Sequence, residues 1–190
     1  MNISAKVFRM PLLLVFLIII GILFSPFSVY GQRDKVLHEP IVEGKSMLGI
    51  KVGDSESDLC RILGFPDLIR SNYEDTTSKT GRLKSLVYGV DRNNVFFIYT
   101  KEGKVEMIAM SWSGKGIPAY KGKTAKGIGL GDSIKEVKKH YGECEMSKEI
   151  CWYKKYGISL ISLDGEKVVT FILISRPGEL PDVEAYPSGF

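Results

Sequence analysis

The sequence predicts an α+β fold made of two tandem α-β-β-β repeats, with short helices packed on antiparallel sheet. Three observations carry this. Residues 49–55, Gly49-Ile50-Lys51-Val52-Gly53-Asp54-Ser55, recur 78 positions later as Gly127-Ile128-Gly129-Leu130-Gly131-Asp132-Ser133. After each block come apolar residues at helical spacing that stop at a glycine. After each glycine come short runs of β-branched and aromatic residues, separated by turn residues. A period this long signals duplicated supersecondary units.

At the start of the chain, residues 1–31 read as a secretory signal. Lys6 and Arg9 precede an apolar run from Leu12 to Ile20 that continues through Ile22, Leu23 and Phe24. Pro26 and the small-residue exit Val29-Tyr30-Gly31 follow. Gly31 is read as the last residue removed, within about four residues either way. The alternative is an inner-membrane anchor over residues 10–30. A helix from Met10 to Phe24 would span roughly 22 Å against a hydrocarbon core of ~30 Å. No cysteine follows the apolar run, so lipid attachment at a mature N-terminal Cys is not expected. Residues 32–44 read as an N-terminal extension.

The first repeat covers 45–112. Ser55 and Asp58 stand at capping-box spacing, although Asp is not the preferred Glu or Gln. Leu59, Ile62 and Leu63 share a helix face, and Gly64 ends the helix by adopting a left-handed conformation. Strands are expected over 83–90, 95–100 and 105–112, joined by hairpin turns at 91–94 and 101–104, with a polar loop at 71–80. Residues 113–126 read as a Gly/Lys linker. The second repeat, 127–175, has Ser133 and Glu136 as caps, Ile134, Val137 and Tyr141 on the helix face and Gly142 as the stop. Its strands are expected over 151–153, 158–163 and 167–174, around Asp164-Gly165-Glu166. Residues 176–190, with Pro177, Pro181 and Pro187, read as an irregular tail. Helices this short do not persist without packing.

One strand breaks the usual alternation. Val168, Ile172 and Ile174 share one parity and Val169, Phe171 and Leu173 the other, so both sheet faces call for cover. Either the two copies cover one another, or an apolar surface receives a partner.

The pattern Gly-Ile-x-Val-Gly-Asp-Ser-x-x-x-Leu-x-x-x-Leu-Gly-x-Pro over residues 49–66, followed by hairpins, resembles the outer-membrane assembly lipoproteins of the SmpA/OmlA (BamE) type. The tandem form resembles β-lactamase-inhibitory-protein-like domains. That resemblance covers about residues 45–175 and implies helices on antiparallel sheet and protein–protein binding without catalysis. The lipid-attachment Cys is absent, Glu143-Cys144 replaces the Phe65-Pro66 of the first copy, and no binding residue transfers.

Composition narrows the functional classes. Of the 190 residues, 44% are hydrophobic and 25% charged, as in a globular protein. Removing residues 1–31 takes away Lys6 and Arg9 and leaves 24 basic against 22 acidic residues, too even a balance to attract nucleic acid globally. Of the three cysteines, Cys144 and Cys151 are close enough to form a disulfide in an oxidising compartment, while Cys60 reads as a buried small hydrophobe.

Several motifs imitate active sites. Gly131-Asp132-Ser133-Ile134 copies the nucleophile block of GDSL-type esterases, but neither His38 nor His140 has an Asp three residues before it, and Asp54-Ser55 duplicates the block. Gly122-Lys123-Thr124 lacks the phosphate-loop spacing from Gly116 and is followed too late by a helix. Lys115, Lys121, Lys123, Lys126, Lys135, Lys138 and Lys139 form a basic cluster, either a solvated face or a weak patch for anionic lipid or glycan. No cofactor and no metal is expected. The expected function is an exported, periplasmic or secreted, non-catalytic module that binds another protein, with Tyr88, Phe97, Tyr99, Trp112 and Trp152 as candidate contacts and core packing as the alternative role of each. A GDSL-like esterase and a structural envelope protein with a basic patch are the other readings.

Overall fold

The computed structural model describes residues 33–71, 83–147, 150–162 and 167–179. The signal at 1–31, the loop over 72–80, the turn at 164–166 and the tail from 180 onward lie outside these residues. In chain order the elements are β1 (Ser46–Met47), β2 (Ile50–Lys51), α1 (Glu56–Leu63), β3 (Leu68–Ser71), β4 (Lys84–Asp91), β5 (Asn94–Lys101), β6 (Lys104–Trp112), α2 (Ile134–Tyr141), β7 (Glu145–Ser147), β8 (Ile150–Tyr153), β9 (Ile158–Ile161) and β10 (Phe171–Ile174).

Both helices start and stop as their sequences direct. Ser55 accepts from the Asp58 N–H, and Asp58 reaches back to the Ser55 N–H at 3.2 Å, completing the capping box. Ser133 accepts from the Glu136 N–H, but the Glu136 carboxylate turns along the helix toward Lys139 and His140. The shorter Asp therefore closes the box that the longer Glu leaves open. Gly64 and Gly142 follow with φ of 77° and 86°, a region that L side chains avoid. Glu102 and Gly103, with φ of 51° and 75°, make the tight turn between β5 and β6.

The fold is α+β with a mostly antiparallel sheet and few, short helices. Eight strands form one sheet in the order β3-β4-β5-β6-β10-β9-β8-β7, every neighbouring pair antiparallel. Four strands follow each helix rather than three. The additional ones, β3 and β7, are the sheet edges: short and partly polar, they are held by a ladder on one side and carry little periodic signal. The predicted strand over 167–174 is regular only from Phe171, with Val168 making a single bridge to Ser133.

Among the described residues the two halves join side by side in one sheet rather than stacking face to face. They meet edge to edge through β6 and β10, where Ile108 faces Ile174, Ala109 faces Leu173 and Met110 faces Ile172. Each half ends in a strand with a free ladder edge, and pairing those edges satisfies backbone groups that face-to-face stacking would leave open. Equivalent hydrogen bonds tie each helix entry to the sheet: Gly53 N–H to Val105 O and Val105 N–H to Asp54 O in the first half, Gly131 N–H to Val169 O and Val169 N–H to Asp132 O in the second.

Both helices serve the same core. Leu59 and Leu63 of α1 and Val137 and Tyr141 of α2 pack with Leu86, Tyr88, Phe96, Ile98, Ile108, Met110, Ile158, Leu160, Ile172 and Ile174. The extension and the linker are built into this side. Ile41 N–H donates to Lys123 O, Lys121 N–H to Leu37 O, and the buried Tyr120 hydroxyl to Glu39 O.

Candidate functional site

The other side of the sheet is the candidate site. Cross-strand register places Leu68, Val87, Phe97, Ala109, Leu173, Ser159 and Trp152 in one row across seven strands, because each is paired with the next. A second row runs through Val95, Ser111, Phe171 and Ile161, and Tyr99 stands opposite Met107. Phe97, Tyr99, Met107, Ala109, Ile161, Phe171 and Leu173 form a second buried apolar cluster, with Leu83, Val87 and Val95 packed against it and, among the described residues, none from α1 or α2. The alternation of side chains along each strand forces this separation: whatever does not face α1 and α2 faces the opposite way.

This sorts the five candidate aromatics. Phe97 and Tyr99 lie in the second cluster, and Trp152 ends the row that crosses it, with Lys154 Nζ 5.7 Å from its ring and its buried indole Nε1 without a hydrogen-bond partner among the described residues. Tyr88 and Trp112 belong to the helix-side core and do not reach this face. Burial holds the Tyr88 hydroxyl well above its usual range. Trp112 uses its indole N–H on Lys115 O at 2.9 Å. Sequence reasoning found Phe171 and Leu173 through their parity but not Met107, Ala109 or Ile161, whose membership depends on register.

No family model and no curated protein matches the chain. Among solved structures it resembles a cysteine-rich secretory protein from Staphylococcus aureus, with a TM-score of 0.44 and 16% identity over 73% of this chain. It also resembles an extracellular protein containing a SCP domain from Bacillus anthracis, with a TM-score of 0.45 and 12% identity over 67% of this chain. The aligned region spans 49% and 44% of those two chains. The expected kinship with the SmpA/OmlA (BamE) lipoproteins and the β-lactamase-inhibitory-protein-like domains is thereby corrected. The block that suggested it is a helix-entry turn, a local device set by capping chemistry that carries no family identity of its own.

The remaining motifs are accounted for by structure. Ser55 and Ser133 cap helices, and among the described residues neither is hydrogen-bonded by a histidine; His140 stands 3.6 Å from Glu136 on its own helix. Lys123 pairs with Asp132, and Thr124 Oγ1 accepts from the Ile128 N–H, so the Gly122-Lys123-Thr124 segment is an internal turn. Most of the basic cluster is engaged locally: Lys121 on Pro118 O, Lys126 on His140 O and over the Tyr141 ring at 4.1 Å, Lys138 on Glu143, Lys139 on Glu136. Cys144 and Cys151 form a disulfide, and Cys60 is a partly buried free thiol. Among the described residues no group of three His, Cys, Asp or Glu side chains could hold a metal, and no helix is long and apolar enough to cross a membrane.

Proposed function

We propose that this chain is an exported, non-catalytic binding module built from two copies of one α-β-β-β-β unit, whose sheet face opposite α1 and α2 receives an apolar segment of another protein. The observation that carries the reading is the second apolar cluster centred on β5, β6 and β10, whose side chains are at most 8% exposed within the chain, so a partner segment binds there only as that face opens. A sheet that needed only one core would alternate apolar with polar residues. This one carries aromatic side chains on both faces while α1 and α2 occupy one. The duplication is supported by the recurrent block and by the equivalent hydrogen bonds at the two helix entries. Export is supported by the signal-like N-terminus and by the Cys144–Cys151 disulfide, a crosslink that persists in oxidising compartments. The absence of catalysis is supported by the engagement of both candidate serines as caps.

The test uses residues 32–190 immobilised in parallel with a Tyr99→Ala/Trp152→Ala variant that retains its circular dichroism. One envelope or culture-fluid protein retained by the first and lost by the second supports the reading. Equal retention by both, or none by either, overturns it.

A further inference from the structure

Arg33 is a charged side chain that is only 3% exposed. Its guanidinium spends all five N–H donors. Nε donates to Leu63 O at 3.2 Å, Nη1 to Asp67 Oδ2 at 2.7 Å and Gly89 O at 3.0 Å, and Nη2 to Phe65 O at 2.8 Å and Asp67 Oδ1 at 3.2 Å. The cation also lies 5.2 Å from the Tyr88 ring centroid. One side chain thus holds the end of α1, the entry to β3 and the bulged end of β4. Removing the arginine takes this donor from three carbonyls and leaves the Asp67 carboxylate with the Gly89 N–H, a costly change where the carbonyls are buried. Directly after it, residues 33–36 are helical, Val36 joins the core, and 37–41 bond to the linker.

We infer that the peptide bond cut during export lies on the N-terminal side of Arg33, with the last residue removed falling within 27–32, because the folded mature chain needs the Arg33 clamp. The inference rests on the reading of residues 1–31 as a signal. The sequence alone allowed a last removed residue anywhere from 27 to 35. The last three of those positions would delete the clamp and the start of the helical turn that carries it.

The experiment expresses the full chain in an exporting bacterial host, fractionates the cells and measures the intact mass of the exported protein. A mature N-terminus at any of residues 28–33 is expected. An exported, folded protein beginning at residue 34 or later overturns the inference and leaves export standing, as does an exported chain that keeps Met1. A chain confined to the cytoplasm overturns both. A second measurement compares chains beginning at Gln32 and at Asp34, and Arg33→Lys with wild type. The expected result is a melting midpoint lower by on the order of 10 °C for the Asp34 start, and an intermediate loss for Arg33→Lys, since lysine offers three donors from one point. Equal midpoints for the two starts overturn the role given to Arg33.

Discussion

Asp67 shows how a single residue couples this fold to pH. Partial burial pushes its carboxyl up, but the hydrogen bond from Arg33, the Gly89 N–H and the Arg33 charge outweigh that and hold it below its ordinary value. Glu56 repeats the balance, with Lys84 and Thr100 overcoming desolvation. A folded-state value below the unfolded one stabilises the native chain above the unfolded pKa, and that contribution is lost as pH falls through the folded value. The urea midpoint is therefore expected to fall as the pH is lowered from about 5 to 2, and to fall less in Asp67→Asn. An equal fall would remove Asp67 from the acid response. Asp67 is 48% exposed, so water screens its side of the pair and the effect is modest. The caps act at the same scale. The Ser55 hydroxyl, together with Arg61, holds Asp58 at about 2, and Ser55→Ala or Ser133→Ala should each cost about 1 kcal/mol by urea denaturation. Neither substitution should remove an esterase activity.

At the scale of elements, the short helices hold their place by packing. Leu59 is fully buried in the helix-side core, and Leu59→Ala is expected to destabilise the chain by about 2–5 kcal/mol in chemical denaturation. A loss below 1 kcal/mol would mean that α1 is dispensable to that core. The Cys144–Cys151 bond ties the end of α2 to β8 across the edge strand β7, with Cα atoms 5.1 Å apart. A loop this short contributes about 2.5 kcal/mol in the chain-entropy model, so reduction should lower stability by up to that amount. Thiol titration of the unfolded, unreduced chain should find one free group, Cys60.

The whole molecule is held as one unit by the β6–β10 joint. Because Ile108, Met110, Ile172 and Ile174 belong to the core that also contains Leu59 and Val137, neither half can unfold and leave the other's core intact. Thermal and urea unfolding followed by circular dichroism and by tryptophan fluorescence should coincide in one transition. Residues 32–112 alone should aggregate or fail to fold, since β6 would present an apolar, unpaired edge. Two separated transitions would refute this.

The sequence by itself determined the local architecture: where each helix begins and stops, the central strands, the disulfide pair and the demand for cover on both sheet faces. Those features depend on neighbours within a few residues, through capping, turn conformation and side-chain periodicity. The edge strands escaped because strands with one partner need little apolar patterning. Tertiary structure alone decided that the halves join edge to edge, that Tyr88 and Trp112 go to one face while Phe97, Tyr99 and Trp152 go to the other, and that Arg33 is buried. Register and side-chain placement come from pairings between residues distant in the chain. A side chain's own sequence context names its neighbours along the strand, but not the ones across the sheet.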